Sequence, residues 1–372
     1  MIKIAHISDV HLGAKLAYLN TKAEEHRQRI KEAFKLSIDK AIETKVDLFI
    51  IAGDLFDNPF PSKVSQVFVL EQFKRLIDNN IYTLVITGNH DRSEVGSVFT
   101  DSLITKYVNP RLKIFNKELL QSWEIADLDL CIFAAGTEKQ KNKNTPYSNL
   151  MRSEKFKYNI GVFHGSVDIK GQPENNPIYL KDLYASGFDY FALGDWHNML
   201  DLSKNGVAIS YCGSPELIDS DQDNAGNMLI VTLDKGQPCV VKSLRTGSIK
   251  SKTMDLDVSQ IGEIAQLVEQ VKAMTDHSLI LTLNIKGQRA ISLDYSIEEL
   301  RTMLGESFYY VVIKDDSTLR ISEQDLLNYP EHMLIGKYIK LMLAQKNDDS
   351  KNNERIDRAL QLGVSLLKGG RL

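Results

Sequence analysis

Apolar positions along the first ninety residues fall into two alternating rhythms. Ile2 to Ser8 form a short β-type run, and from Arg27 to Thr44 the residues Ile30, Phe34, Ile38 and Ile42 recur at the spacing of an amphipathic helix. A second apolar run, Val46 to Ala52, stops at Gly53-Asp54; Ser62 to Ile77 again has helical spacing, and Ile81 to Thr87 is a strand stopping at Gly88-Asn89. Strand, helix, strand, helix, strand predicts an α/β layered core.

Beyond it come β-type runs with little helix between the later ones: Leu130 to Ala135, Ile160 to Phe163, Tyr190 to Leu193, Val207 to Cys212, Met228 to Leu233 and Cys239 to Leu244. They predict a second sheet packed on the first. The lysine- and asparagine-rich stretch Lys139 to Asn144 is expected to be a mobile surface loop. Around Lys250 the rhythm changes to helix (Ile261 to Met274), strand (Leu279 to Ile285), helix (Ile297 to Leu304) and strand (Tyr309 to Ile313), a small α+β appendage. Two further helices follow, Met333 to Leu343 and Arg355 to Leu367, joined by the polar stretch Gln345 to Asn353.

A chain of 372 residues exceeds what one core usually holds, so two or more domains are expected. Hydrophobic residues at 43% and charged residues at 25% are ordinary globular values, which excludes general disorder. The net charge of -4 argues against a protein that coats duplex DNA by counterion release alone, so any nucleic-acid contact has to be local. Lys139, Lys141, Lys143 and Arg92 are candidates for such contacts, and Lys242, Arg245, Lys250 and Lys252 form a second basic stretch; each set also fits a solvated surface. Cys131, Cys212 and Cys239 are widely spaced in apolar runs, which suits reduced thiols and a cytoplasmic setting. The strand pattern after Met1 is broken by His6 and Asp9, so no secretory leader is expected. Nor does any stretch reach the roughly 18 apolar residues that a membrane-spanning helix needs.

Chemistry-bearing residues recur where the strands end: Asp9-Val10-His11, Gly53-Asp54, Gly88-Asn89-His90-Asp91, His164-Gly165 and Gly194-Asp195-Trp196-His197. Taken singly, each has an ordinary structural explanation as a cap, a turn or a core histidine. Together they are expected to converge at one edge of the sheets. Asp9 and His11, two residues apart at the end of a strand, are expected to project to the same face. Mixed nitrogen and oxygen donors suit Mn, Zn or Fe, and a carboxylate can bridge two ions about 3.5–4 Å apart, the arrangement that cleaves phosphate esters.

The stretches Ile7-Ser8-Asp9-Val10-His11-Leu12-Gly13, Ala52-Gly53-Asp54-Leu55-Phe56-Asp57, Thr87-Gly88-Asn89-His90-Asp91, Phe163-His164-Gly165 and Ala192-Leu193-Gly194-Asp195-Trp196-His197 closely resemble the calcineurin-like metallophosphoesterases. Within that family the long first two motifs resemble the SbcD-type DNA-repair nuclease subunits. The resemblance implies a two-sheet β-sandwich flanked by helices over residues 1–249, a small α+β capping domain over 250–321 and a helical tail over 322–372. It implies that Asp9, His11 and His197 hold one metal, that Asn89 and His164 hold the other, and that Asp54 bridges. His90 would sit over the scissile phosphate without ligating, and Asp91 would orient His90. The family's last motif is usually Gly-His-x-His. Here Asp195 takes the place of a second-metal histidine, an oxygen donor that biases the pair of ions toward Mn²⁺ or Mg²⁺.

Phosphoprotein phosphatases of the family carry Arg-Gly after the second motif and Gly-Asn-His-Glu in the third. This chain has Asp57-Asn58-Pro59 and ends the third motif on Asp91, which favours the nuclease branch. The resemblance therefore implies an exo- and endonuclease acting on DNA, docked through its tail on an SMC-like ATPase of the SbcC type. A homodimer would form through helices at Ser62 to Ile77 and Gly96 to Lys106. The setting would be the cytoplasm, at the nucleoid in a bacterium. Two other readings stay open on the sequence: an esterase for small phosphodiesters or nucleotides with the appendage as a lid, and a weakly active scaffold for such an ATPase.

Overall fold

A computed structural model describes residues 1–147, 149–169, 176–321, 327–346 and 350–368. The described chain falls into two compact units, Met1–Lys250 and Ser251–Leu372.

In the first unit, β1 (Ile2–Ile7), β2 (Leu48–Ala52) and β3 (Tyr82–Ile86) run parallel, with Ile4 beside Leu48 and Ile50 beside Leu84. The crossovers are α1 (Ala23–Glu43) and α2 (Lys63–Asp78). α2 starts where Ser62 accepts a hydrogen bond from the Ser65 amide, a side-chain cap for one of the unpaired donors of the first turn. Strand β4 (Leu112–Phe115) extends the sheet beyond β3.

A second sheet has the order β5 (Gln121–Ile125), β6 (Leu130–Ala134), β7 (Tyr158–His164), β8 (Tyr190–Gly194), β10 (Ala208–Tyr211), β9 (Leu200–Asp201). The two sheets face each other across Ile4, Ile50, Ala52, Leu84 and Ile86 on one side and Ile132, Ile160, Val162 and Ala192 on the other. The outer face of the second sheet carries its own apolar layer, in which Phe163, Phe191 and Leu193 pack against Tyr147, Ile178 and Phe188. Because both faces are covered, β7 and β8 are buried along their whole length, and they read as continuous apolar runs rather than alternating ones.

Two expectations are corrected here. Strands β11 (Asn227–Leu233) and β12 (Val240–Arg245) belong to the first sheet and not the second: β11 pairs antiparallel with β1, Ile4 opposite Val231. That placement satisfies the amides and carbonyls that β1 would otherwise expose as an edge strand. The helix expected over Gly96 to Lys106 shrinks to α3 (Leu103–Lys106). Upstream of it the backbone forms turns, the Ser97 amide donating to the Glu94 carbonyl, and side chains add to them: Ser97 Oγ accepts from the Glu94 amide and Thr100 Oγ1 donates to the Glu94 carbonyl.

The second unit has a three-stranded sheet, β13 (Lys250–Asp257), β14 (Asp276–Lys286) and β16 (Phe308–Asp315), with α4 (Ile264–Lys272) and α5 (Ile297–Leu304) packed on Leu281, Leu283 and Val311. Short β15 (Gln288–Ala290) and β17 (Thr318–Arg320) pair in parallel. Helices Leu334–Leu343 and Ser350–Leu367 meet through Ile339, Leu360 and Val364. Residues 322–326, 347–349 and 369–372 of the expected tail lie outside the described residues, including the middle of its polar stretch. Among the described residues no helix is long and apolar enough to cross a membrane.

Candidate metal centre

Every motif singled out in the sequence lies at the carboxyl end of a parallel strand. Asp9 follows β1, Asp54 follows β2 and Asn89 follows β3, while His164 ends β7 directly beside Gly194, the last residue of β8. The opening between the two sheets at this end brings all five segments together.

The turns that carry them are conformationally costly. Asp9, His11, Asp54 and Asp195 all have left-handed backbones, at φ 53°, 50°, 51° and 101°. Such values are rare for residues with a Cβ and gather at functional sites. Asp9 and His11 thus converge through a tight turn beyond the strand, and not through the strand alternation expected for them. Backbone hydrogen bonds lock the turn, the Asp9 amide donating to the Gly53 carbonyl and the His11 amide to the Asp54 carbonyl, each at 3.0 Å. Two glycines allow close approach: a Cβ at Gly53 would collide with the His164 ring and one at Gly88 with the Asp54 carboxylate.

The donor atoms form two overlapping groups. His11 Nε2 and His197 Nε2 lie 3.2 Å apart, with Asp9 Oδ1 3.9 Å from His197 Nε2. On the other side, His164 Nε2 lies 2.9 Å from Asn89 Oδ1 and 3.8 Å from Asp195 Oδ1. Asp54 Oδ2 faces both groups, 3.7 Å from His11 Nε2 and 3.3 Å from His164 Nε2. Ligand atoms of Asp9, His11 and His197, and again of Asp9, Asp54 and His164, all fall within 4.8 Å of one another.

The electrostatics are those of a site short of positive charge. Asp9 and Asp54 are buried to within 2% and no lysine or arginine among the described residues pairs with either. Burial pushes the Asp9 carboxyl up to about 6, although His164 pulls the other way. Burial also favours protonation of Asp54, but the charge and hydrogen bond of His164, with His11 and His90 behind it, hold that carboxyl below its usual range. His164 is the counterpart: burial lowers its pKa, and the charges of Asp54, Asp9 and Asp195 outweigh burial and raise it above the usual histidine value. A buried carboxylate needs a cation or a proton. Lone-pair donors without a competing ammonium or guanidinium fit divalent metal ions.

Around the donors stand residues for which no role was expected. Asp57 Oδ1 lies 3.2 Å from His11 Nδ1, which leaves Nε2 turned inward; the Gln222 side-chain amide lies 2.7 Å from His197 Nδ1; Ser166 Oγ donates to Asp195 Oδ2 at 2.7 Å. Such contacts orient metal-binding side chains. Asp57 stood within the quoted second motif, whereas nothing in the pattern of the chain marks Gln222.

The expected pairing of Asp91 with His90 is not formed. Asp91 is fully buried and accepts from the Gly88 amide at 2.8 Å and the Phe56 amide at 3.1 Å. It braces the second and third turns, and burial together with Asp54 pushes its carboxyl up to about 7. His90 is held instead by its own amide, which donates to Asp54 Oδ1 at 2.9 Å, and by Asp57, whose carbonyl oxygen is 3.3 Å from Nδ1. Its ring stands edge-on to His11, centroids 4.6 Å apart, with 42% of the side chain open to solvent.

Lys139, Lys141 and Lys143 are exposed on a segment tied to the site at its two ends. Thr137 exchanges hydrogen bonds with Thr87 Oγ1, and Asn176 donates through its backbone to the Asn142 carbonyl and through its side chain to that of His164. Arg92 is half-buried and paired with Glu94 at 3.1 Å.

The sequence profile described as calcineurin-like phosphoesterase matches residues 2–199, which contain every one of these donors. The chain belongs to that family. It is therefore a metal-dependent phosphoesterase, and the family's use of divalent metals agrees with the donor set. Among its relatives, a DNA double-strand break repair protein Mre11 of Saccharolobus solfataricus is 26% identical over 342 residues, covering 88% of this chain and 86% of that protein. Another protein of that name, from Sulfurisphaera tokodaii, is 20% identical over 361 residues, 95% of this chain and 91% of its own length. The uncharacterized metallophosphoesterase YhaO of Bacillus subtilis is 31% identical over 222 residues, 57% of this chain and 52% of that one.

Proposed function

We propose that this phosphoesterase is a DNA nuclease with two divalent ions, the nuclease subunit of an SbcC/SbcD-like complex that processes DNA ends. The observation that carries the reading is Asp54 Oδ2 facing two separate donor groups, 3.7 Å from His11 and 3.3 Å from His164, with His90 beside them at the open edge. Asp9, His11 and His197 hold one ion, Asn89, His164 and Asp195 the other, and Asp54 is shared. Bound there, the ions supply Lewis acidity and a hydroxide nucleophile near neutral pH. Asp195, an oxygen donor held by Ser166, favours Mn²⁺ or Mg²⁺. His90 carries a proton to the leaving oxygen: Asp57 engages Nδ1, so Nε2 is free for substrate.

DNA as the substrate rests on the relatives named as double-strand break repair proteins, which align with this chain over most of its length. Lys139, Lys141, Lys143 and Arg92 serve as contacts to the DNA backbone, a role that the exposure of the three lysines supports. Residues 1–249 form the nuclease domain, 250–321 a cap and 322–372 a tail that docks on an SMC-like ATPase. The exposed Leu334, Leu341, Leu362 and Leu366 of the tail helices support that docking. Exposed Phe60, Val64 and Val67 at the start of α2, with Leu103 of α3, support a homodimer. A reducing cytoplasm, beside the nucleoid in a bacterium, suits the free cysteines.

The test incubates the protein with labelled linear and circular DNA in Mn²⁺, in Mg²⁺ or in chelator, alongside His90→Ala. Cleavage in Mn²⁺, none in chelator and a loss of roughly 10²–10⁴-fold in the variant are expected. Cutting that persists in chelator, or at the wild-type rate in the variant, would sink the mechanism.

A further inference from the structure

Trp196 stands between two donors of the metal centre, and the chemistry above leaves it without a task. It is 48% exposed, the only tryptophan or tyrosine among the exposed large hydrophobic side chains, and among the described residues no ring or hydrogen-bond partner engages its indole. The backbone beneath it is fixed on both sides. The Asp195 amide donates to Asp9 Oδ1 at 3.1 Å, and the Ser214 amide donates to the His197 carbonyl at 3.0 Å. The fixed backbone beneath the exposed indole removes the backbone part of the ordering that binding would otherwise cost.

We infer that Trp196 is a stacking platform for a base next to the scissile phosphate, so that the enzyme grips an unpaired or frayed DNA strand by a ring face. The inference rests on the nuclease reading. Consecutive Cα atoms lie about 3.8 Å apart, so the Trp196 backbone is immediately beside those of Asp195 and His197, which would hold the ions that engage the phosphate. A phosphate and the base of the adjoining nucleotide are likewise neighbours along a strand. Every base offers a π-face, so such a contact tolerates any sequence, as an enzyme that trims ends requires. Trp196 is thus a positioning residue for the strand, and the donors on either side of it would hold the ions that engage the phosphate.

The chain has two tryptophans, and the other, Trp123, sits on β5 edge-on to Tyr82 at 5.8 Å, so Trp123→Phe leaves Trp196 as the single emitter. In chelator, where nothing is cut, oligothymidylate should quench that emission. Trp196→Ala should weaken binding by roughly 5- to 150-fold, the span reported for losing one base–aromatic stack, and Trp196→Phe should restore most of it. An abasic strand of equal length should bind the parent protein no better than oligothymidylate binds Trp196→Ala. In Mn²⁺ the alanine variant should raise KM more than it lowers kcat, with Mn²⁺ uptake measured by calorimetry unchanged. Unaltered emission, equal affinity for abasic and thymidine strands, or Mn²⁺ uptake that falls together with DNA affinity would each overturn the platform. None of these bears on whether the parent cuts DNA in Mn²⁺, the measurement on which the nuclease reading stands or falls.

Discussion

The two units of this chain use their residues in opposite ways. Every non-glycine residue with a left-handed backbone among the described residues, from Asp9 to Asn205, lies in Met1–Lys250, and so do the buried carboxylates Asp9, Asp54 and Asp91. In Ser251–Leu372 the core is Leu256, Leu281, Leu283, Val311 and their neighbours, with buried polar groups reduced to Thr282, Arg289, Ser307 and Ser317. The first unit gathers four of its left-handed residues, Asp9, His11, Asp54 and Asp195, with uncompensated carboxylates at one end of its sheets; the second shows, among the described residues, no left-handed backbone outside glycine and one buried cation, Arg289, near Asp315. Departure from the most stable choice is where chemistry is concentrated.

The largest effect should come from removing the charge that the two donor groups share. Asp54→Asn keeps an acceptor for the His90 amide and a residue type that tolerates φ 51°. Phosphodiester cleavage should fall by at least about 10³-fold, since the variant loses both the shared ligand and the transition-state charge that depends on it. Stability in chelator should fall as well, because the buried His164 loses the anionic partner whose carboxyl it holds below its usual range. The wild type should gain about 2.7 kcal/mol from Mn²⁺ at a hundredfold excess over Kd, a gain the variant lacks. A variant that gains as much stability from Mn²⁺ as the wild type would show that Asp54 is no ligand, and the contrast between the units would lose its basis.

The converse experiment belongs in the second unit. Leu283 is fully buried in β14, and Leu283→Ala removes core volume with no polar group involved. It should cost about 2–5 kcal/mol, read as earlier melting or proteolysis of the second unit. Hydrolysis of a small chromogenic phosphodiester by the first unit should be unchanged. A parallel loss of hydrolysis would mean that the two units are not energetically separate.

The same contrast governs what was legible in the sequence. Strands β1, β2 and β3 announce themselves because each apolar run stops on Asp, Gly or Asn, residues that belong in turns and that here carry the donors. The sheet joined by β11 and β12 was not legible, because the choice between two apolar edges depends on residues more than two hundred positions away: Ile2 pairs with Leu233. Strand β13 escaped for a local reason, since only Leu256 of its eight residues is buried and no apolar alternation shows. At the site, residue types were readable but their partners were not. Asp91 adjoins His90 in sequence, yet neighbouring side chains diverge, and the carboxylate turns back to the Gly88 and Phe56 amides while Asp57 reaches His90 from another turn.

A smaller effect should separate strain at the site from burial in the sandwich beneath it. His6 lies on β1, fully buried, with Nδ1 2.8 Å from the Tyr190 hydroxyl and Nε2 unpartnered. Burial pushes its pKa down from 6.5 to about 3. Above pH 6.5 the ring is neutral folded or unfolded, and it imposes no pH dependence. Below that value the unfolded chain binds a proton that the folded one refuses, so stability falls with falling pH until the folded ring itself titrates near 3. The slope is about 1.4 kcal/mol per pH unit, or about 2 kcal/mol between neutrality and pH ~5. His6→Gln retains a partner for Tyr190 and cannot titrate. In urea unfolding with chelator present, the gap between wild type and variant should therefore shift toward the variant by that amount as the pH is lowered, whatever its size at neutrality. Parallel curves would place the acid sensitivity of the first unit in its metal turns alone, and the sandwich would then resemble the second unit more closely than its buried histidine suggests.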